Sequence, residues 1–443
     1  MVNIRNIALS SIIEIIEEGK KSHYVTNKTV SGLDVTSRDK AFYLKLVEGT
    51  VERKITLDFI INKYSKVPVN KQKKVVRNLL RMSIYQIIYL DKTLDAAACD
   101  EAVKIIKKRK MASLSGFING VLRTIVREKE NIINAIEEAP LEIKYSVPNW
   151  IIEKLGEDAS FVLDSLYKER PINARFNTTK HSYEEIRDML LCEGIKVKDN
   201  PYFKDIKDRA QAALIEDFSD LRNYATFAGG LFTIQDSASM IPVLVSDAKP
   251  GDMVIDVCAA PGGKSTQIAE MVGDKGFVHS FDVSDNKVDL IKENIKRLKL
   301  TNIDAQVFDG RNTNKKYIEK ADVVILDVPC SGLGVISNKP DIKYRLKEED
   351  IESLNTLQKE IVSSAIPYLK KGGRLIYSTC TLTKEEDEDM YKYILDNFDV
   401  AGVNLNEYLP DTLKCEDAKK GFLKLVPGKV NMDGFFVAGF VKN

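Results

Sequence analysis

Two cysteines stand in similar local patterns, and each follows a run of apolar residues typical of a buried strand. Cys330 lies in LDVPCSGLGV and Cys380 lies in LIYSTCTL. Loops at the carboxyl ends of neighbouring parallel strands open onto one crevice, so we expect the two thiols to face each other across the same pocket. The remaining cysteines (Cys99, Cys192, Cys258, Cys415) are expected to have packing roles.

A third segment, DVCAAPGGKST at 256–266, follows a predicted strand and opens a predicted helix, where an α/β sheet binds a nucleotide-like ligand. It matches neither GxGxxG nor a Walker A loop. Asp282 and Asp309 end the next two predicted strands. An alternative is that these aspartates only cap helices and turns. A site rich in carboxylates and poor in phosphate-binding features favours a cationic adenosyl ligand over a dinucleotide.

Two thiols beside a candidate methyl donor indicate one reaction, methylation of cytosine at C5. C5 of the neutral ring is a poor nucleophile, but a thiolate that adds to C6 turns the ring into an enamine whose C5 attacks a sulfonium methyl group. A base then removes the C5 proton and the thiol is eliminated. The ring needs an acid or hydrogen-bond donor near N3 and O2, and Asp327, three residues before Cys330, is the candidate.

The elements that must position these residues fall into three predicted domains. Residues 1–135 have apolar residues at helical spacing, residues 136–230 mix strands and helices in a small α+β pattern, and residues 231–443 alternate strands and helices. This alternation predicts a parallel sheet covered on both faces. Its strands are expected at MVIDV, FVHSFDV, DAQVFDG and VVILDVP. The predicted fold class is therefore multidomain α/β.

Composition excludes several classes of protein. The chain has 443 residues, of which 44% are hydrophobic and 30% charged, as in a soluble globular protein. No apolar run approaches the ~18 residues of a membrane span, and the start lacks the continuous apolar stretch of a signal peptide, so a cytoplasmic protein is expected. The cysteines form no CxxC pair, and the histidines (His23, His181, His279) form no metal set.

The net charge of the chain limits how it can bind a nucleic acid. The net charge is only +1, from 66 basic and 65 acidic residues, so RNA must be met by a local patch. A basic cluster at 101–130 is either a solvated helix face or a phosphate-contacting surface. Its members are Lys104, Lys107, Lys108, Arg109, Lys110, Arg123, Arg127 and Lys129.

The three motifs together resemble those of the NOL/NOP/Sun family of RNA cytosine C5-methyltransferases. The helical segments LLRMSIYQIIYLD and GFINGVLRTIVRE are similar to the NusB-like domain of its RsmB (Sun) branch. RFNTTK at 175–180 resembles the start of the family's RNA-binding subdomain, and DGFFVAGFVK at 433–442 resembles its closing strand. The resemblance implies an N-terminal all-α NusB-like bundle, a small α+β RNA-binding subdomain and a C-terminal Rossmann-like methyltransferase domain.

The resemblance also implies roles for residues. Cys380 becomes the nucleophile that attacks C6, Cys330 assists product release, and Asp327 contacts the N3 and amine edge of cytosine; the residues alone leave open which thiol attacks. S-adenosylmethionine is held by the cofactor set, which comprises Asp256, Cys258, Ala259, Ala260, Pro261, Gly262, Gly263, Lys264, Asp282, Asp309 and Asp327. The expected RNA contacts are Arg175, Asn177, Lys107, Lys108, Arg109, Lys110 and Arg123.

By the resemblance, the expected substrate is small-subunit (16S) ribosomal RNA, free or partly assembled, and transfer RNA is the alternative. The target cytosine must be unpaired or flipped out, since the enzyme must reach its face and edge. A further alternative is a NusB-like binding module for antitermination with a degenerate methyltransferase half. A monomer without metal is expected. The sequence departs from the family pattern at Asp387, where asparagine is usual, and at Ser337, Asn338 and Met432.

Overall fold

The computed structural model describes residues 3–90, 94–168, 170–206, 211–218 and 220–443. It contains two compact units: the first comprises Met1–Ala159 with Ile336–Glu348, and the second comprises Ser160–Val335 with Glu349–Asn443. Within the described residues, no helix is long and apolar enough to cross a membrane.

The first unit is helical. Its helices are α1 Ile4–Glu18, α2 Ser22–Ser31, α3 Ser37–Glu52, α4 Lys54–Tyr64, α5 Lys74–Tyr89, α6 Asp95–Lys108, α7 Ser115–Arg127, α8 Lys129–Glu137, α9 Leu141–Lys144 and α10 Asn149–Leu155. Helix α5 is buried along most of its length and packs against α1, α3, α4, α6 and α7. The apolar spacing that predicts this helix therefore corresponds to the centre of the bundle.

The helical unit extends beyond the predicted boundary at residue 135 and includes a second stretch of chain. Thr56 donates a hydrogen bond to the carbonyl of Ile143, so α9 packs on α4. Residues 336–348, which contain α17 (Ile342–Arg345), also belong to this unit. The Tyr344 hydroxyl donates to the carbonyl of Glu52 at 2.9 Å. Long-range packing of this kind leaves no local sequence pattern.

The second unit begins with a small antiparallel sheet of strand order β2-β3-β1-β4. Its strands are β1 Ile172–Phe176, β2 Lys196–Asp199, β3 Ala212–Glu216 and β4 Phe232–Ile234, and the accompanying helices are α11 Ala159–Ser165, α12 Tyr183–Cys192 and α13 Ala225–Ala228. The sheet and the larger one that follows form one compact unit, whereas the sequence predicts two domains divided at residue 230.

The larger sheet has strand order β10-β12-β9-β8-β5-β6-β7, with β11 paired to β12. The strands are β5 Met253–Asp256, β6 Phe277–Asp282, β7 Ile303–Val307, β8 Ala321–Asp327, β9 Leu369–Thr379, β10 Val400–Gly402, β11 Phe422–Leu425 and β12 Phe435–Lys442. The helices are α14 Ser237–Ser246, α15 Gly263–Val272, α16 Asp285–Leu298, α18 Glu349–Ala365, α19 Glu388–Asn397 and α20 Glu416–Lys420.

The direction of the strands locates a crevice. β5 to β9 run parallel, whereas β12 is antiparallel to β9. The chain proceeds from β5 to β6 and β7 on one side, then returns to β8 and β9 on the other side. A reversal of strand order opens a crevice at the carboxyl ends of the central strands, where α/β sheets bind ligands.

Candidate active site

The two thiols lie next to each other at the carboxyl ends of β8 and β9. These strands are parallel neighbours in which Asp327 pairs with Ser378, so the loops that follow them start side by side. The Sγ atoms of Cys330 and Cys380 are 3.2 Å apart, and the Cys380 backbone N–H donates to Cys330 Sγ at 3.3 Å. Both side chains are partly exposed. The structure thus brings the two cysteines together.

The environment of Cys330 favours its neutral form. The pKa of its thiol is raised well above the usual value, first by the hydrogen bond with Cys380, then by burial and by the negative charge of Glu386. A thiolate at Cys330 would be poorly solvated and would lie near the negative charge of Glu386, so the neutral thiol is favoured.

Asp327 lies at the end of β8 and is paired with a lysine. Lys264 Nζ is 2.7 Å from Asp327 Oδ2, and Ser378 Oγ donates to Oδ1 at 2.9 Å. The ammonium group also donates to Ser239 Oγ at 3.0 Å and lies 5.1 Å from the centre of the Phe435 ring. The sequence predicts both Lys264 and Asp327 in the cofactor set, and the structure pairs them with each other. Their sequence spacing gives no signal for this ion pair.

Asp256 ends β5 and is completely enclosed. Its Oδ2 accepts a hydrogen bond from Ser265 Oγ at 2.6 Å, whereas Oδ1 is buried without a hydrogen-bond partner among the described residues. Burial raises the pKa of this carboxyl to about 7. A carboxylate oxygen left unpaired inside a protein is costly, so a donor from a bound ligand would stabilise it.

The loop after β5 requires glycine at one position. Gly262 has a φ of 101°, and a Cβ there would lie 3.2 Å from Ile291 Cγ2, so the backbone conformation and the space both favour glycine. Helix α15 begins at the next residue, Gly263. Cys258 lies in the same loop with a pKa raised by burial, which agrees with a packing role.

Asp282 and Asp309 follow the carboxyl ends of the neighbouring strands. Asp282 accepts hydrogen bonds from the backbone N–H of Ala260 at 2.9 Å and from that of Val283 at 2.7 Å, so it fixes the conformation of this loop. Asp309 is paired with Arg311, whose guanidinium lies 2.6 Å from its Oδ2. Both carboxylates thus support loops at the sheet edge where a cofactor would bind, and the capping alternative describes part of what they do.

Two of the predicted RNA contacts lie inside the protein. Arg175 is 3% exposed, forms an ion pair with Glu270 and donates to Gln235 Oε1 at 2.9 Å. Asn177 is also buried and donates to the carbonyls of Gly230 and Leu298 at 3.1 Å and 3.3 Å. Both side chains are buried and already have protein partners, which favours structural roles over the predicted RNA contacts.

Most of the basic cluster of the helical unit is exposed. Lys107, Lys108, Lys110 and Arg123 are exposed. Arg109 differs, because its guanidinium donates to the Asn6 side chain and to Ser10 Oγ and so joins α6 to α1. In the described part of the chain, no group of three histidine, cysteine or carboxylate side chains could hold a metal ion.

Comparison with known proteins places these features in one family. Residues 243–441 match the family model described as 16S rRNA methyltransferase RsmB/F, and residues 2–127 match that of the NusB family. A Bacillus subtilis (strain 168) protein named probable ribosomal RNA small subunit methyltransferase B is 34% identical over 453 residues, which cover 99% of each chain. The chain belongs to the RsmB/F methyltransferase family.

Solved structures agree with this assignment. The crystal structure of PH0851 has 27% sequence identity and a TM-score of 0.80, and covers 100% of this chain and 99% of its own. A methyltransferase homolog from Pyrococcus horikoshii has 28% identity and a TM-score of 0.54 over 67% of this chain and 100% of its own. The predicted family, the multidomain α/β fold and the enzyme class, an S-adenosylmethionine-dependent RNA methyltransferase, are confirmed.

Proposed function

We propose that this member of the RsmB/F family methylates C5 of a specific cytosine in 16S ribosomal RNA through a covalent bond between Cys380 Sγ and cytosine C6. The observation that carries the proposal is the thiol pair, with 3.2 Å between the Sγ atoms of Cys330 and Cys380, beside the Asp327–Lys264 ion pair. One thiol can form the covalent bond while the second acts on the same ring.

The proposed reaction begins with attack on C6. The Cys380 thiolate forms the S–C6 bond, and the electrons of the C5–C6 double bond become available at C5. Asp327 accepts a hydrogen bond from the exocyclic amine of cytosine, and the adjacent Lys264 ammonium offsets the negative charge that develops at N3 and O2. Their 2.7 Å ion pair keeps both groups at the ring edge.

The second stage restores the aromatic ring and frees the enzyme. Once C5 carries the methyl group, a base removes the C5 proton, the C5–C6 double bond re-forms, and the C6–S bond breaks to release Cys380 as a thiolate. Cys330 assists this release. The raised pKa of Cys330 favours its neutral thiol, and a neutral thiol is a poor nucleophile for C6.

The residues present fit S-adenosylmethionine. The buried Oδ1 atom of Asp256 has no hydrogen-bond partner among the described residues, so it can accept a hydrogen bond from a bound ligand at the edge of the sheet. The cofactor would be held by Asp256, Asp282, Asp309 and the loop at 258–263. When bound, it supplies an electrophilic methyl group on a sulfonium.

The substrate class is inferred from the relatives and from charge. The relatives are named small-subunit rRNA methyltransferases, and the NusB match covers the unit that carries the exposed basic cluster. Exposed lysine and arginine side chains on such a surface would neutralise phosphates. We therefore place rRNA binding on Lys107, Lys108, Lys110 and Arg123.

The test uses transcribed 16S rRNA and S-adenosylmethionine labelled in its methyl group. Wild type should transfer label to cytosine C5, Cys380→Ala should transfer none, and Cys330→Ala should accumulate an RNA adduct that resists denaturant. If Cys380→Ala accumulates the adduct instead, the two roles are exchanged. Label on transfer RNA but not on 16S rRNA would contradict the substrate, and transfer to neither would favour a binding module.

A further inference from the structure

A fully buried carboxylate lies behind the two thiols. Glu386 is in the loop between β9 and α19 and is 0% exposed. Its Oε1 accepts hydrogen bonds from the Ser331 backbone N–H at 2.9 Å and from Gln358 Nε2 at 2.9 Å. Its Oε2 accepts from Thr383 Oγ1 at 2.8 Å. Three donors from three segments of the chain thus converge on one side chain.

The partner of Glu386 holds the other side of the Cys330 loop. Gln358, on α18, is also 0% exposed, and its Nε2 donates to the carbonyl of Pro329 at 2.9 Å. Pro329 and Ser331 are the residues before and after Cys330. The Glu386–Gln358 pair therefore holds the backbone on both sides of this thiol.

The same pair also contacts β9, the strand directly before Cys380. The Tyr377 hydroxyl, on β9, donates to the Glu386 carbonyl at 2.7 Å and lies 3.3 Å from Gln358 Oε1. Directly between the two loops, Ser331 Oγ and Thr381 Oγ1 are 2.5 Å apart. Each cysteine thus lies next to residues that this network holds.

We propose that Glu386 and Gln358 are positioning residues that hold the Cys330 loop against the Cys380 loop and so set the distance between the two thiols. The proposal rests on the two-thiol chemistry proposed above. Neither side chain is exposed to a substrate, so both act through the cysteines. A displacement of about 1 Å at a reacting atom can lower a rate by about a hundredfold, so such a network has a large effect on turnover.

Glu386 has an electrostatic effect as well. Two neighbours of Cys330 can carry a negative charge, namely Cys380 and Glu386. The carboxylate of Glu386 therefore opposes ionisation of Cys330. Glu386→Gln removes this charge while Gln keeps an acceptor for Ser331, so it separates the effect of charge from that of position. Gln358→Leu removes the donors to Pro329 and Glu386 and tests position.

The experiment compares wild type, Glu386→Gln, Gln358→Leu and a matched control, Glu360→Gln, which alters an exposed glutamate on the same helix as Gln358. Three quantities are measured: the rate of methyl transfer to 16S rRNA under single turnover, the Kd for S-adenosylmethionine by calorimetry, and the alkylation rates of Cys330 and Cys380 by iodoacetamide at pH 8, resolved by mass spectrometry.

Gln358→Leu should lower the transfer rate about tenfold to a hundredfold and change the alkylation rates of both thiols, while the Kd for S-adenosylmethionine stays within about twofold of wild type. In Glu386→Gln, iodoacetamide should alkylate Cys330 several times faster than in wild type, because the negative charge next to this thiol is removed. Glu360→Gln should match wild type in all three measurements.

Wild-type transfer and alkylation rates in both Glu386→Gln and Gln358→Leu would overturn the proposal. If Gln358→Leu does not fold, Thr383→Val replaces it, because this change removes a single hydrogen-bond donor to Glu386. Wild-type transfer and alkylation rates in Thr383→Val would also overturn the proposal. If wild-type protein transfers no methyl group to cytosine C5, the proposed function fails. The alkylation rates still test the positioning network, because they need no substrate.

Discussion

Asp327 and Lys264, which are 63 residues apart in the sequence, form an ion pair of 2.7 Å at the edge of the crevice that holds both thiols. Asp327 ends β8, whereas Lys264 lies in the first turn of α15, directly after the cofactor loop. Ser378 adds a hydrogen bond to the same carboxylate from β9. Three segments therefore fix one carboxylate at the edge of this crevice.

This pairing predicts that Lys264 acts on catalysis more than on cofactor binding. Lys264→Met and Asp327→Asn should each lower the methyl-transfer rate by about 10²–10⁴-fold, the range for loss of a positioned proton-transfer or charge-stabilising group. The Kd for S-adenosylmethionine should change by less than a few fold. Single-turnover transfer and calorimetry measure the two quantities. Lys292→Met, at an exposed position on α16, is the control. A large rise in Kd with an unchanged transfer rate would return Lys264 to the cofactor set.

The exposed lysines of α6 are expected to bind phosphate. Lys107→Ala and Lys108→Ala should each weaken rRNA binding, and each should reduce the slope of log K against log salt by up to about 0.7–0.9, as one phosphate contact is lost. Arg123→Ala on α7 should behave alike. Filter binding at several salt concentrations gives the slope. Lys20→Ala is the control, because Lys20 pairs with Glu14 and Glu18. Unchanged slopes in all the α6 and α7 variants would mean that the cluster is a solvated helix face that does not contact phosphates.

Much of the catalytic site could be predicted because its signals are local. Each strand that carries a site residue is an apolar run, and the structure has β5, β6, β7 and β8 where the sequence predicts them. A parallel sheet then brings their carboxyl ends to one edge, so the meeting of Cys330 and Cys380 follows from topology. The thiol separation of 3.2 Å does not follow from it, since it depends on buried contacts between loops.

The errors arise where a residue's role depends on a partner far away in the chain. Arg175 lies in a short basic-polar segment that suggests RNA binding, but its charge is neutralised by Glu270, 95 residues later. Residues 336–348 follow the Cys330 motif in sequence, yet they belong to the helical unit. Neither outcome has a signature in the local pattern of apolar and charged residues.

Arg175 is expected to control stability. Arg175→Met should lower the free energy of unfolding by about 3–5 kcal/mol, because it leaves Glu270 buried without its counter-ion. Urea unfolding followed by circular dichroism measures this loss. The rRNA affinity of the folded variant should match wild type. Arg187→Met, at an exposed ion pair with Asp188, should cost about 1 kcal/mol or less. Weaker rRNA binding by a fully stable Arg175→Met protein would mean that Arg175 contacts RNA.

The segment at 336–348 predicts a stability effect in the helical unit. The Tyr344 hydroxyl contacts the carbonyls of Glu52 and Ser146 at 2.9 Å and 3.0 Å. Tyr344→Phe removes these contacts and should cost about 1–2 kcal/mol. Trp150, the single tryptophan of the chain, lies on α10, so its fluorescence during urea unfolding reports on this unit. Tyr24→Phe is the control at a position that is 61% exposed. Equal midpoints for the two variants would contradict the predicted role of Tyr344.

Asp256 predicts a pH dependence of stability in the second unit. Burial raises the pKa of this carboxyl from 3.8 to about 7 in the folded chain. Between these two values the unfolded chain loses the proton while the folded chain keeps it, so raising the pH favours unfolding. The expected loss is roughly 4 kcal/mol from pH 4 to pH 8, because each pKa unit corresponds to about 1.4 kcal/mol.

Asp256→Asn removes this titration. As the pH rises from 4 to 8, wild type should lose stability that the variant keeps. The difference in free energy of unfolding, variant minus wild type, should therefore increase. Urea unfolding followed by circular dichroism measures it at each pH. Asp389→Asn alters an exposed carboxylate on α19 and should show a difference that varies little with pH. A pH-independent difference for Asp256→Asn would mean that Asp256 is ionised with its usual pKa, and a buried donor must then pair with its Oδ1 atom.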